Sequence, residues 1–518
     1  MNTMNKQITR RDFLKFLSTL PLFFFVKPDG MRLIDRADQV GNERANIFVF
    51  LFDTFSAQHI SLYGYSRETT PNLTRFAERA NVYHRHYASS NFTTTGTASL
   101  LTGNLPWTHR ALGHAGLVSK ELLNMNLFHL IGDSYNRVGF SQNLWADILL
   151  EQFEKSIDQH LNPTDFSLIS SVTYANHLNS HISLEIFREF DDFLLQNFDK
   201  PGSLIFSFLE DFDFALKYKK TWDMFADQYP RGIPNLPKYN IAFLLEQVFD
   251  GIMAQITQIA KPAFAYFHLY SPHEPYHPHR DFVGIFDDDW KPTSKKPHPL
   301  VPNGFPDEAL IILRRQYDEY IANVDAEFGR LLDFLDSTGY LENSYIVLTS
   351  DHGQAFERGL HGHTTELLYE PLIKVPLLIS SPSQKERKDF HVPTSCIDLL
   401  PTLLKISDQS INGCEGLVLP GFGGQENEDR PIFSMVAKTN PVYAPLTKAT
   451  VAMIKGDYKL IWYGDYPDYR NVYELYNLED DPEEMNDLYD SRSSLSQFLQ
   501  KELQGNLEKF DKYKRPNS

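Results

Sequence analysis

Short apolar runs of strand length recur along the chain, and several stop at residues capable of chemistry. Asn46 to Phe52 stops at Asp53-Thr54; Ala263 to Leu269 leads into Tyr270-Ser271-Pro272-His273; Ser344 to Thr349 leads into Ser350-Asp351-His352-Gly353. Runs that do not alternate with polar positions belong to strands covered on both faces. Val375 to Ile379 reads as a further strand. Between the strands the period changes. Leu73, Phe76, Ala77 and Ala80 recur at helical spacing behind Thr70-Pro71, an N-cap followed by a first-turn proline. Helical spacing returns over Ala309 to Asp336. Strand followed by helix is the rhythm of an α/β fold, expected here as a large α/β/α sandwich with a mostly parallel central sheet.

Two stretches break that rhythm. From about 145 to 245, helical patterns at Leu184 to Phe198 and Ile241 to Ile259 are separated by proline-rich breaks around Pro201 and from Pro230 to Pro237. This reads as a helical insertion, either a lid that shapes a substrate site or a plain helical layer. Past residue 440 come short strand patterns, Val451 to Ile454 and Tyr458 to Tyr463, then an acidic turn at Asp480 to Glu484 and a polar terminal helix. A main domain over 45–440 is therefore expected, followed by a small antiparallel-sheet subdomain and tail over 441–518.

Composition narrows the class. With 518 residues, 42% hydrophobic and 22% charged, the chain can bury a large core and more than one domain. A net charge of −18 argues against a nucleic-acid partner, whose phosphates call for basic patches. Two cysteines, Cys396 and Cys414, make no disulfide framework and no cysteine metal cluster; one bridge or two free thiols both fit. At the N-terminus, Thr9-Arg10-Arg11-Asp12-Phe13-Leu14-Lys15 precedes the apolar Phe16 to Val26. That is short for a permanent membrane span and fits a signal over residues 1–30, similar to a twin-arginine export signal. It implies the twin-arginine machinery as a partner and a periplasmic or otherwise extracytoplasmic location. With no clear small-x-small cleavage site, the segment could also stay as a membrane tether.

The stretch Thr93-Thr94-Thr95-Gly96-Thr97-Ala98-Ser99-Leu100-Leu101-Thr102-Gly103 sets hydroxyls ahead of an apolar run. It predicts a loop turning into a helix, with a hydroxyl at the N-cap. A helix N-terminus stabilises an anion, and a hydroxyl there becomes a nucleophile if a metal activates it. The strand ends supply ligands for such a metal. Asp53, Asp351 and His352, with a hydroxyl oxygen, form a mixed oxygen and nitrogen shell for a divalent cation: zinc, manganese, magnesium or calcium. In open α/β sheets ligands gather at the carboxyl ends of strands, where all these residues fall.

These motifs resemble the sulfatase branch of the alkaline phosphatase superfamily. The resemblance rests on Asn46 to Asp53 with Leu62-Tyr63-Gly64-Tyr65 and Thr70-Pro71-Asn72-Leu73, and on Leu100-Leu101-Thr102-Gly103 with Pro106. It continues through His273-Glu274-Pro275-Tyr276, Ser350-Asp351-His352-Gly353, Gly362-His363, Leu368-Tyr369-Glu370 and Val375-Pro376-Leu377. Asp398 to Leu404, Tyr458-Lys459-Leu460 and Glu474 to Leu478 complete it, so that most of residues 45 to 490 match in family order. The departures fall on chemistry. The nucleophile position, a Cys or Ser matured to formylglycine in that family, is Thr93; the maturation arginine is Thr97. The sulfate-contacting Gly-Lys-Trp-His stretch is replaced by Gln142-Asn143-Leu144-Trp145, and the second Asp of the first pair by Thr54.

A threonine held by a metal through Asp, Asp and His resembles instead the phosphodiesterases and the phosphoethanolamine or glycerol-phosphate transferases of the superfamily. The expectation is thus a metal-dependent hydrolase or transferase of a phosphate or sulfate ester, phosphodiester foremost, on a small-molecule, glycan or lipid substrate. Asp53, Thr93, Asp351 and His352 would hold the metal, and Thr93 would attack. His273 and His363 would protonate the leaving alcohol or hold an oxygen, or complete a weaker second metal site, giving one or two ions per chain. His361, His109 and His114 carry functional and structural readings alike. Two alternatives stay open: a true sulfatase with an unconventional nucleophile, and an inactive cell-envelope binding protein of the same fold.

Overall fold

The computed structural model describes residues 44–114, 116–170, 204–440, 444–467 and 469–510. The proposed signal, the helical pattern Leu184 to Phe198 and the last residues of the tail lie outside them. No described helix is long and apolar enough to cross a membrane.

The central sheet has eight strands: β1 (Asn46–Phe52), β2 (Asn81–Tyr83), β3 (Asn136–Ser141), β4 (Gln159–Leu161), β5 (Ala263–Leu269), β6 (Ser344–Thr349), β7 (Leu377–Ser380) and β8 (Lys388–Phe390). Their spatial order is β8-β2-β7-β6-β1-β5-β3-β4. Pairing is parallel except where β7 meets β6 and β2, so a single strand runs against the rest. β1 lies at the centre, and its non-alternating sequence follows from that position. Phe48, Phe50 and Phe52 enter one core, while Ile47, Val49 and Leu51 enter the other, and all six are buried.

Helices α1 (Pro71–Ala77), α5 (Leu245–Gln258) and α6 (Asp307–Ser337) supply Phe76, Phe249, Tyr320 and Phe328 to the phenylalanine side. Helices α2 (Thr93–Thr102) and α7 (Leu399–Ile406) supply Leu100, Leu101, Leu400 and Leu403 to the other. The α/β/α sandwich is thus realised. Between these elements in sequence run α3 (Leu144–Gln152) and α4 (Leu204–Phe225).

A second, antiparallel sheet has four strands in sequential order: β9 (Ile432–Val436), β10 (Thr450–Lys455), β11 (Tyr458–Tyr466) and β12 (Tyr469–Asn477), followed by α8 (Ser493–Phe510). One face packs on Leu367 to Ile373, the other on Trp107 and on Leu499 and Leu503 of α8.

Four sequence expectations need correction. α2 begins at Thr93 itself; its N-cap is Phe92 and no side-chain hydroxyl caps it, because Thr94 and Thr95 donate to the carbonyls of Trp145 and Ala111 instead. Thr70 precedes α1 as expected but makes no capping bond either. Ile241 to Ile259 is not one helix: Ile241-Ala242 is a short strand and the helix starts at Leu245. The strand after Val375 runs over Leu377–Ser380, shifted past Pro376, which lacks the N–H a ladder uses. Both cysteines are free.

Candidate active site

Asp53 is the first residue after β1, and the turn it starts is held from outside. Thr54 adopts φ 60°, a region unfavourable for a β-branched residue, and Tyr317 of α6 donates its hydroxyl proton to the Thr54 carbonyl while accepting from the Ser56 N–H. Asp351 and His352 leave the neighbouring parallel strand β6 at the same sheet edge. Helix α2 then sets Thr93 against them. Gly103 closes this helix at φ 64°, its N–H bonded to the Ser99 carbonyl, which glycine does without strain.

Asp53, Thr93, Asp351 and His352 therefore meet, as expected from the sequence, and all are essentially inaccessible to water. Thr93 Oγ1 lies 3.1 Å from His352 Nε2. That nitrogen is 3.5 Å from Asp351 Oδ2 and 3.7 Å from Asp53 Oδ1.

One residue joins them that the sequence reading did not single out. His268 Nε2 sits 3.8 Å from Asp53 Oδ2 and 3.9 Å from Asp351 Oδ2. His268 lies inside β5, opposite Leu51, and its side chain shares the face of Phe264 and Tyr266 that α2 covers. The signal was present but weak: an imidazole at a core position of an apolar strand.

The donor atoms are arranged for a cation. Each group is anchored through one atom and presents the other. Asp351 Oδ1 accepts the His352 N–H, Asp53 Oδ2 accepts from the Asn143 amide, and His352 Nδ1 bonds the Gly353 carbonyl. His268 Nδ1 bonds the Tyr266 hydroxyl. Donating from Nδ1 to a carbonyl, His352 carries a lone pair on Nε2 facing the carboxylates, and His268 does the same in the tautomer that donates from Nδ1 to the Tyr266 hydroxyl. Asp53 Oδ1, His268 Nε2 and Asp351 Oδ2 have no hydrogen-bond partner although fully buried. Orphaned polar atoms cost stability, so three converging on one point call for a ligand. Asp351 Oδ2 lies 3.5 Å from His352 Nε2 and 3.9 Å from His268 Nε2, and Asp53 Oδ1 lies 3.7 Å from His352 Nε2, spacings that fit donors each about 2.1 Å from a shared ion. The residues fit a divalent metal.

Electrostatics agree. Burial and the Asp53 charge push the Asp351 carboxyl up to about 8. Burial alone would raise Asp53 too, but the imidazoles of His268, His273 and His352 hold it below its ordinary value. Burial drops His352 to about 4, keeping it neutral and able to ligate. Two buried carboxylates cannot both ionise cheaply without a cation between them.

Asn143, which caps α3 through its Oδ1, also reaches Thr93 Oγ1 at 3.4 Å. It orients both the carboxylate and the hydroxyl, from the stretch where the sequence shows neither lysine nor histidine.

His363 and His273 flank the cluster. The His363 ring is 4.4 Å from that of His352, and the His273 ring is 5.0 Å from that of His363. His273 Nδ1 bonds the Glu274 carbonyl and His363 Nδ1 bonds Gln354 Oε1, whose amide donates to the Tyr276 hydroxyl. Burial and the neighbouring His352, His273, Lys438 and His114 hold His363 well below its ordinary value, so it is neutral.

The other histidines separate. His361 bonds the Tyr276 hydroxyl and the Glu274 carboxylate rather than Asp53 or Asp351. His109 is buried against Ser99 and the Ala111 N–H, a structural contact beneath α2. His114 stacks edge-on against Phe92 and Trp145 at the rim.

The Sulfatase family model matches residues 45–408, and the model described as N-sulphoglucosamine sulphohydrolase, C-terminal, matches residues 359–513. The chain belongs to the sulfatase family, whose members are ester-hydrolysing enzymes. It is 24% identical to the choline-sulfatase of Rhizobium meliloti (strain 1021) over 81% of this chain and 77% of that one. It is 21% identical to an arylsulfatase of Clostridium perfringens (strain 13 / Type A) over 90% and 96%. In three dimensions it resembles the phosphonate monoester hydrolase of Agrobacterium radiobacter, with a TM-score of 0.66, 15% identity and coverage of 90% and 96%.

Proposed function

We propose that the chain is a metal-dependent hydrolase or transferase of a phosphate or sulfate ester, a phosphodiester foremost, with unmodified Thr93 as the nucleophile. The observation that carries this reading is the convergence of three partnerless buried atoms, on Asp53, His268 and Asp351, beside the Thr93 hydroxyl. Asp53, Asp351, His352 and His268 would hold the metal, with Thr93 completing the set. When bound, a divalent cation supplies Lewis acidity that lowers the pKa of a hydroxyl beside it and offsets charge on the ester oxygens.

The residues of the chain do the rest. Thr93 Oγ, its proton lost to solvent, attacks phosphorus in line with the ester oxygen that leaves; the new bond is Thr93 Oγ–P and the broken one joins phosphorus to the alcohol. Asn143 holds Thr93 and Asp53 in register for that approach. His273, the partly exposed imidazole of the group and anchored through Nδ1 on the Glu274 carbonyl, would give a proton from Nε2 to the departing oxygen. His363, neutral and anchored through Nδ1, offers its Nε2 lone pair to the water, or to the acceptor alcohol, that releases the group from Thr93. An ordinary threonine has no second hydroxyl through which to expel sulfate, which is why phosphorus is favoured over sulfur.

The test is a metal-supplemented screen across aryl phosphodiesters, phosphate monoesters, phosphonates and sulfates. Turnover should be greatest on the diester and fall at least about a thousandfold in Thr93→Ala. Greater activity on sulfates would favour sulfate-ester hydrolysis, in line with the choline-sulfatase likeness.

The Arg10-Arg11 segment supports export by the twin-arginine route as part of this proposal. A reporter fused behind residues 1–40 should lose export when both arginines become lysine.

A further inference from the structure

The second sheet brings a lysine to the residues that flank Thr93 and His363. β9 docks directly on the segment that leads into α2: the Met435 N–H donates to the Ser89 carbonyl at 2.8 Å, and the Ser434 hydroxyl donates to the Ala88 carbonyl at 2.5 Å. Two residues beyond β9 comes Lys438. Its ammonium lies 4.9 Å from the centre of the Phe92 ring, and Phe92 immediately precedes Thr93. It also reaches the Thr365 carbonyl at 3.4 Å, two residues beyond His363. The charge is therefore held between the two ends of the site, by a docking register rather than by a floppy surface stem.

Lys438 is short of anionic partners. Among the described residues no carboxylate lies within ion-pair distance; Glu366 acts on it only at longer range. A cation–π contact and one long bond to a carbonyl leave most of its three donors unused. Burial pushes it down to about 8, a cost that a nearby anion would remove. Its charge reaches both His352 and His363, which it pushes further down. A lysine held between Phe92 and Thr365, its charge felt by neutral imidazoles and no carboxylate within ion-pair distance, is placed for an anion that arrives with the substrate.

We propose that Lys438 is an anion-binding residue that donates to a non-bridging oxygen of the tetrahedral oxyanion of the substrate, phosphate or sulfate, from the C-terminal sheet. This rests on the reading of the Thr93 site as the reaction centre. It accounts for the cation absent from Gln142 to Trp145: the charge comes from a different part of the chain. Lys438 selects for the charge on the transferred group, while the leaving alcohol lies elsewhere.

Equilibrium binding separates this claim from the nucleophile claim. Inorganic phosphate is titrated calorimetrically into the metal-loaded protein, the Lys438→Ala and Lys438→Arg variants, and Lys438→Met as a variant that keeps volume without charge. Metal content is measured in each. Loss of one charge-assisted hydrogen bond should raise the Kd about 10- to 100-fold in the Ala and Met variants, with Arg within about threefold of wild type, at equal metal content. An unchanged Kd in Lys438→Ala would overturn the proposal. So would failure of phosphate to bind the wild type, or a loss of affinity that merely tracks lost metal. A dead Thr93→Ala variant, by contrast, bears on the nucleophile alone.

Discussion

Gly96 lies directly against the backbone of Asp351: a Cβ at Gly96 would stand 2.4 Å from the Asp351 carbonyl oxygen. The helix that presents Thr93 and the strand end that presents Asp351 are thus in contact through a position with no side chain. The close approach, rather than backbone conformation, is what requires glycine here.

Gly96→Ala should therefore move α2 away from Asp351. A loss of stability of about 1–3 kcal/mol is expected from forced overpacking, together with weaker metal binding. Denaturant melts of metal-loaded and chelator-treated protein measure both.

Asp351→Asn should have opposite effects in two states. Without metal, it removes a buried carboxylate forced against Asp53, and the melting temperature should rise by roughly 1–3 °C. With metal, it removes a ligand, and the melting temperature should fall below that of the loaded wild type. Paired thermal melts with and without chelator check the change of sign. A variant that is equally neutral in both would count against a metal at this position.

His268→Ala should weaken metal affinity by about 10- to 100-fold, the scale seen when groups that build a metal site are removed. Competition with a chromogenic chelator reads the affinity directly. Retention of full affinity would restrict the ligand set to Asp53, Asp351, His352 and Thr93.

Asp325 gives a pH signature far from the chemistry. It accepts the backbone N–H groups of Asn72 and Leu73 at the start of α1, and burial raises it to about 6 from 3.8. A carboxyl raised on folding stabilises fully below the unfolded value, and that contribution is lost as pH rises through about 6. Relative to Asp325→Asn, the wild type should lose up to roughly 3 kcal/mol of stability between pH 4 and pH 7. Urea titrations across that range check the slope.

The sheet was largely legible because its strands are covered on both faces. β1, β5 and β6 could be bounded from apolar runs alone, and the residues just past them carry Asp53, Asp351 and His352. His268 was not legible in the same way. Inside β5 an imidazole occupies an ordinary core position, and only the pairing register, with Leu51 opposite and α2 above, turns it toward the carboxylates. Asn143 is an amide with no distinctive spacing, and its role depends on α3 starting beside Asp53. Lys438 lies far along the chain, and the docking of β9 on Ser89 brings it to Phe92. The capping expectation at Thr93 failed because tertiary partners, the carbonyls of Trp145 and Ala111, outcompeted the helix end for the hydroxyls of Thr94 and Thr95.

The claim that Thr93 reacts directly is tested by trapping. Metal-loaded protein is mixed with an aryl phosphodiester, quenched in acid within the first turnover and digested, and the peptide spanning Thr93 is analysed by mass spectrometry. The account predicts an otherwise unmodified threonine at position 93 carrying the phosphoryl group, released on longer incubation and absent from Thr93→Ala. Turnover with the adduct on another residue, or a Thr93→Ala variant that turns over at the wild-type rate, would contradict it.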